Sequence, residues 1–360
     1  MLTASGCQTR RERLRQAVGD QVAELVIGDP VHLRYLANFH VDPFSLGADF
    51  GGFIVIRPDG HTTLYHDRRL PSSVQQAHVD ERVVIPWYDG ITAGQGPRHT
   101  ALLSSLKKHG GRIHDSLENP LCESVSEAIC LARRQKDSDE IALLKQCMAA
   151  GKAGQDWARQ NVRAGMTELD VYLGIFAECS RACKQAAILY GDFAVSPGMS
   201  RRGGPPTDRV LANGDMLILD FSVVHFGYRS DFTNTLVVGG SPNAQQKELF
   251  NACVKAMEAG EKSLKAGASC QSVYDAVYDV FGKIGMGDQF PHHAGHGLGL
   301  GHPEAPFFVK QSSETLLEGD VVTLEPGLYV DGVGGIRIEH NYLITKDGYE
   351  RLSEHTISLV

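Results

Sequence analysis

Met216-Leu217-Ile218-Leu219-Asp220-Phe221, followed by Tyr228-Arg229-Ser230-Asp231-Phe232-Thr233-Asn234-Thr235-Leu236, decides how this chain is read. The first stretch is an apolar strand interrupted by an acid, a costly place for an unpaired carboxylate. The second returns from a second acid into another strand-like run, so two facing strands would bring Asp220 and Asp231 together. Like charges a few ångströms apart repel, and such a pair needs a shared proton or cations between its members. The plainer alternative, one Asp capping a turn and the other ion-paired, stays open at this point.

Downstream, His292-His293-Ala294-Gly295-His296-Gly297-Leu298-Gly299-Leu300-Gly301-His302-Pro303-Glu304 packs four histidines among glycines, which suits close backbone approach to a ligand. Thr323-Leu324-Glu325-Pro326 and Gly335-Ile336-Arg337-Ile338-Glu339-His340 each set a Glu in an apolar strand. In the second, alternation sends Arg337 and Glu339 to one face and Ile336 and Ile338 to the other. A surface Arg–Glu pair is the alternative; the apolar surroundings favour burial. Asp220, Asp231, His296, Glu325 and Glu339 together make four acids and one imidazole, a hard, oxygen-rich set suited to two divalent cations and the water between them.

The 360 residues exceed a typical single domain, so two domains and a sizeable core are expected. A net charge of −8 with both signs interspersed argues against nucleic acid or an anionic membrane surface as partner. The expected substrate is small or peptidic. No window holds eighteen uninterrupted apolar residues and Met1 to Arg15 has no apolar run, so neither a membrane span nor a signal peptide is expected. Ala4-Ser5-Gly6-Cys7, which resembles a lipoprotein cleavage box, has no apolar run before it. The eight cysteines include no CxxC pair and read as reduced, mostly buried thiols of a cytoplasmic protein.

Along the first third, Ala23 to Ile27 reads as a strand, Asp29-Pro30 opens a helix through Leu36, and Gly52 to Ile56 with Thr62 to Tyr65 flank the turn Pro58-Asp59-Gly60. Val83 to Ile85 adds a strand, and no catalytic constellation is visible in this region. From about Ser124 the periodicity turns helical, and the charged stretch Arg133 to Glu140 leads into a helix from Ile141 to Ala150. The expected layout is a small α/β domain over 1–125, a linker over 126–140 and an α+β catalytic domain over 141–360. The last carries helices at Glu168 to Ala187, Ala244 to Ala266 and Ser272 to Ile284, grouped against a curved, mostly antiparallel sheet. Its strands are expected at Leu217 to Leu219, Phe226 to Val238, Val321 to Leu324 and Ile336 to Ile344.

Taken in this order, the segments resemble the pita-bread metallopeptidases, the group of methionine aminopeptidase, aminopeptidase P, prolidase and creatinase. The resemblance covers about residues 136 to 352, with an N-terminal region similar to the creatinase-type domain of the Xaa-Pro branch. It implies that Asp231 and Glu339 bridge two metals, that Asp220 completes one site and that His296 and Glu325 complete the other. It further implies two divalent ions (manganese foremost, or cobalt, zinc or iron) and a metal-bridging hydroxide that cleaves the bond before proline. Glu325 would shuttle the proton to the leaving nitrogen, His292 would contact substrate, and the enzyme would work as a homodimer.

The departures bear on substrate. The histidine expected shortly before Pro-Thr-Asp-Arg is absent from Arg201-Arg202-Gly203-Gly204-Pro205-Pro206-Thr207-Asp208-Arg209. A second substrate-side histidine, expected seven residues after His296, is Pro303 here, with His302 one place earlier as the third catalytic candidate. Ser222 stands where Asp-x-Gly is usual and Asn234 where many prolidases have Arg. These changes keep open a non-peptide amide or guanidino substrate on the same fold, and a non-catalytic binding paralogue as a third reading.

Overall fold

The computed structural model describes every residue except 20–21, 42–50, 89, 92–93 and 95–97. The chain divides into two compact units, Met1–Arg133 and Arg134–Val360.

The first unit runs α1 (Ala4–Val18), β1 (Leu25–Ile27), α2 (Pro30–Ala37), β2 (Gly52–Ile56), β3 (Thr62–Asp67), α3 (Pro71–Gln76), β4 (Glu81–Ile85), α4 (Arg98–Leu106) and α5 (Pro120–Arg134). Its sheet has the order β1-β2-β3-β4, antiparallel except for the parallel β3–β4 pair. The turn between β2 and β3 closes with Gly60 N–H donating to Arg57 O at 3.0 Å, and Gly60 takes φ +87°, a conformation that favours glycine. Asp29 caps α2, accepting from Val31 N–H at 2.7 Å, with Pro30 in the first turn where its missing N–H costs nothing. Leu102 and Leu106 of α4 cover Val26, Phe53, Val55 and Ile85 of the sheet. Helix α1 has no sequence counterpart above. Its buried face includes Arg10 and Arg11, which donate to the carbonyls of Tyr35, Leu36 and His78, so no apolar period marks it.

The second unit runs α6 (Ser138–Asn161), α7 (Glu168–Cys183), β5 (Ile188–Asp192), β6 (Met216–His225), β7 (Tyr228–Arg229), β8 (Phe232–Val237), α8 (Ala244–Glu261), α9 (Cys270–Lys283), β9 (Gly295–Gly297), β10 (Glu304–Phe308), β11 (Val321–Leu324), β12 (Gly327–Val330), β13 (Gly334–Arg337), β14 (His340–Ile344) and β15 (Tyr349–Arg351). One sheet centres on β6, flanked by β5, β7 and β8; another has the order β10-β9-β11-β14-β15; β12 and β13 form a hairpin. Every strand pair in this unit is antiparallel. Ala150, Ala158, Val171 and Ile175 of α6 and α7 pack on Leu217, Leu219 and Phe221 of β6. Cys253, Val273, Val277 and Phe281 of α8 and α9 share a core with Val322, Leu324 and Leu328.

Residues 126–140, read above as a linker, run through the end of α5 and the start of α6, which are separated by 135–137. Asp137 and Glu140 close a reciprocal capping box there, so the charged stretch is a helix start. The three expected helices end at Cys183, Glu261 and Lys283. The expected strand from Phe226 to Val238 is broken, because Phe226 and Gly227 turn at φ 50° and 84° before β7 and β8. The expected strand from Ile336 to Ile344 is likewise split at Ile338-Glu339 between β13 and β14. Among the described residues no helix is long and apolar enough to cross a membrane.

Candidate metal centre

The β6–β8 register sets Asp220 opposite Thr233 and Phe221 opposite Phe232, which leaves Asp231 at the head of β8 beside Asp220. His296 comes from the middle of β9, Glu325 follows the end of β11, and Glu339 occupies the break between β13 and β14. Each of these acids stands where a strand ends or pairs, so a fixed backbone aims it.

The second sheet is pinned to the first through β8. Glu339 N–H donates to Thr233 O at 3.0 Å, and the Thr233 hydroxyl donates to Glu339 Oε2 at 2.7 Å. Asp231 N–H donates to Asn341 Oδ1 at 3.2 Å. Ligand atoms of Asp220, Asp231 and Glu339 lie within 4.8 Å of one another, as do those of His293, His296 and Glu325, and those of Asp231, His296 and His302. The structure thus brings together all five residues singled out as metal ligands and adds two imidazoles.

His296 donates Nδ1–H to Gly297 O at 2.9 Å, which fixes its tautomer and turns Nε2 toward Asp231 Oδ2 at 3.5 Å and Glu325 Oε1 at 3.6 Å. Neighbouring ligands of one cation lie roughly 2.9–3.4 Å apart for metal–nitrogen bonds of about 2.0–2.1 Å, so those gaps match a shared ion better than direct hydrogen bonds. His302 Nε2 lies 2.6 Å from Asp231 Oδ2, and His293 Nε2 lies 3.1 Å from Glu325 Oε1. His302 therefore meets a carboxylate of the cluster, where sequence had left its contact open. His292, which donates Nδ1–H to His293 O at 2.8 Å, accepts a hydrogen bond from the Tyr329 hydroxyl on Nε2 at 3.2 Å.

Arg337 does not pair with Glu339. It donates Nε–H to Asp220 Oδ2 at 2.6 Å and Nη1–H to the Tyr329 hydroxyl at 2.7 Å, and it reaches Asp192 through Nη2. Asp192, on β5 directly opposite Asp220, and Tyr329 were not anticipated. Neither sits in a motif; cross-strand register alone puts them here. His293 lies inside the quoted histidine run, and its three-residue offset from His296 was the available signal.

The electrostatics show a site built for cations. Burial raises the Asp220 carboxyl to about 7 against the pull of Arg337, helped by the charges of Asp231, Asp192 and Glu325. Burial, with Asp231, Asp220 and Glu325 nearby, pushes Glu339 well above the usual range. Burial works the same way on Asp231 and Glu325, but imidazole partners override it: the hydrogen bond from His302, with the charges of His302 and His296, holds Asp231 low, and His293 brings Glu325 to about 2. His296, despite burial, rises to about 9 beside Asp231 and Glu325, whereas burial lowers His292 to about 4 and keeps it neutral. Burial thus favours the protonated form of Asp220 and Glu339, a bias that cations among the acids would reverse. Glu339 Oε1 is buried without a hydrogen-bond partner. An orphaned carboxylate oxygen in a cluster of acids and imidazoles fits divalent metal. A cavity of about 470 Å³ adjoins the cluster, lined by Asp192, Arg202, Gly203, His292, Glu325 and Arg337 among others.

The family profile of metallopeptidase family M24 matches residues 142–346. Over 238 residues the chain is 32% identical to an uncharacterized peptidase of Staphylococcus epidermidis, a match spanning 65% of this chain and 66% of that relative, just under two thirds of its length. In three dimensions it is similar to the Xaa-Pro dipeptidase from Bacillus anthracis, with a TM-score of 0.80 and 25% identity over 98% of this chain and 99% of the other. The prolidase from Pyrococcus horikoshii OT3 shares the fold at a TM-score of 0.77 and 22% identity, covering 98% of this chain and 100% of that one.

Proposed function

The chain belongs to metallopeptidase family M24, and from that premise we propose that it is a metal-dependent hydrolase with a dinuclear centre, an exopeptidase that cleaves the peptide bond before proline. The observation that carries the reading is the convergence of Asp220, Asp231, His296, Glu325 and Glu339 on one buried cluster in which Glu339 Oε1 has no partner. The similarity to a Xaa-Pro dipeptidase at 25% identity supports the proline preference.

Asp220, Asp231 and Glu339 would hold one cation, with Asp231, Glu339, His296 and Glu325 around the other. Bound there, the pair would supply Lewis acidity and an acidified water. Manganese suits the predominance of carboxylate oxygens. The residues of the chain do the rest. His296 keeps its Nε2 lone pair forward through the Gly297 bond, and Arg337 holds Asp220 in place. Glu325, held by the Thr323 hydroxyl at 3.2 Å and by His293, would take a proton and return it to the leaving nitrogen. Neutral His292 faces the cavity as a substrate contact, and His302 steadies Asp231. Residues 1–133 would form the creatinase-type unit and 134–360 the catalytic unit of a homodimer. A cytoplasmic location belongs to the same reading.

One observation favours a small polar amide or guanidino compound as an alternative substrate. A Cβ at Gly203 would lie 2.0 Å from Asp192 Oδ2, so while Asp192 faces Arg337 the loop that lacks the substrate histidine has no room to regain it. The discriminating experiment is hydrolysis of Xaa-Pro dipeptides, Xaa-Pro tripeptides and creatine-like amides by chelated protein, before and after adding Mn, Co or Zn. Metal-dependent cleavage of the proline peptides supports the first reading. Cleavage of the amides alone supports the second.

A further inference from the structure

The loop that carries His302 is held from behind by a charged pair outside the ligand cluster. Glu304 opens β10, and Lys136 lies just ahead of α6. Lys136 Nζ donates to Glu304 Oε1 at 2.8 Å, with side chains only 2% and 15% exposed. The other carboxylate oxygen, Oε2, accepts from the N–H of Gly301, one residue before His302, at 2.9 Å. A Cβ at Gly299 would lie 2.6 Å from Glu304 Oε1 and 3.0 Å from Lys136 Cε, so glycine is what lets the pair sit against the loop backbone. Lys136 is anchored in turn, its N–H donating to Gly319 O at 3.0 Å.

Arg229 takes two carbonyls of the same loop: its N–H donates to Gly299 O at 3.2 Å and its Nη2–H to Leu300 O at 2.9 Å. It also donates Nη1–H to the Tyr190 hydroxyl at 2.8 Å, and the Tyr190 and His302 rings meet edge to face with centroids 5.7 Å apart. The His302 side chain is 26% exposed, so packing covers only part of it and the backbone of 299–301 decides where Nε2 points. That backbone sends Nε2 to Asp231 Oδ2 at 2.6 Å. The adjoining cavity is lined by His292 and His293 and, among the described residues, not by His302. The displaced histidine thus serves a ligand of the cluster, and the substrate side is left to the other two.

A buried ion pair is by itself weak support for stability, because desolvation offsets the attraction. What this pair supplies is position, through the Gly301 N–H that it fixes. We propose that Glu304, backed by Lys136, is a positioning residue that commits His302 to Asp231 and so tightens the hold of the cluster on the cation shared by Asp231 and His296. The inference rests on the reading of Asp231 as a metal ligand and deepens it. Groups that orient a ligand govern metal affinity without touching the ion. With the Glu304 carboxylate gone, Gly301 N–H loses its acceptor, the loop relaxes and His302 leaves Asp231.

The test is a double-mutant cycle read by calorimetric titration of chelated protein with Mn²⁺. In Glu304→Ala the dissociation constant for Mn²⁺ should rise by about 10-fold, the low end of the range for losing an orienting partner. Glu304→Gln should recover part of the loss, because its amide oxygen still accepts from Gly301. With His302→Ala already in place, Glu304→Ala should weaken Mn²⁺ binding no further, since the pair acts through the histidine. A merely structural pair would lower Tm and leave affinity intact, or weaken affinity equally in both backgrounds; either result overturns the proposal. Should Glu304→Ala fail to fold by circular dichroism, Glu304→Gln takes its place in the cycle, with a smaller loss that must again vanish beside His302→Ala. Absence of Mn²⁺ uptake by the wild type would instead overturn the metal-centre reading itself, which keeps the two failures apart.

Discussion

Arg337 donates its Nε–H to Asp220 at 2.6 Å, so a cation of the chain itself is bound to a carboxylate of the proposed metal cluster. The same guanidinium reaches Tyr329 and Asp192, which makes it the joint between β13, β6, β5 and the β12 strand. Its fork geometry lets one buried charge satisfy several acceptors at fixed angles.

Replacing Arg337 with Met should therefore leave Asp220 and Asp192 without their buried partner. In chelated protein the unfolding free energy from urea titration should fall by about 3–5 kcal/mol, the cost of breaking a buried pair from one side. Arg337→Lys should recover only part, because an ammonium cannot span the acceptors. Equal stability in all three proteins would remove Arg337 from this role.

Asp231→Asn should lower the number of divalent ions held per chain and abolish metal-dependent hydrolysis, since this residue adjoins Asp220, Glu339, His296 and His302 at once. Elemental analysis after desalting gives the stoichiometry. Undiminished metal content would show that Asp231 is not a ligand.

His302→Ala should weaken metal affinity or turnover by about 10–100-fold, the usual cost of losing a partner that orients a ligand, with His302→Gln restoring part through its amide donor. Metal titration by calorimetry separates this from a substrate contact, which would raise KM and leave metal affinity untouched.

Acid should destabilise the second unit through His355, a buried ring stacked on Phe232 at 4.4 Å whose Nε2–H meets Thr233 O at 3.2 Å. Burial, with the charge of Arg351 adding, lowers its pKa to about 4 against the bond to Thr233. The folded value lies below the unfolded 6.5, so this contribution to stability is complete above about pH 6.5 and is lost as pH falls through about 4. His355→Gln, which can donate the same bond without titrating, should show a smaller loss of Tm between pH 7 and 4.5. Identical slopes would assign the acid sensitivity elsewhere.

The candidate ligands were legible because each lies in a local pattern: an acid in an apolar strand, or a histidine among glycines. Antiparallel pairing then did what the pattern required, setting Asp220 opposite Thr233 with Asp231 next to it. Illegible were the contacts that depend on which strands become neighbours. Asp192 meets Arg337 only because β5 pairs with β6, and Arg337 turns to Asp220 because the chain breaks at Ile338-Glu339 instead of continuing as a strand. The pair of His32 and Asp115 escaped for the same reason, its members lying 83 residues apart. Helix α1 escaped because arginines occupy part of its buried face.

The most direct test is titration of chelated protein with Mn²⁺, following bound ions per chain and hydrolysis of an Xaa-Pro dipeptide in the same samples. A dinuclear exopeptidase predicts binding that saturates at about two ions per chain, with cleavage appearing as the cluster fills. Cleavage by metal-free protein, or saturation at one ion with full activity, would contradict it.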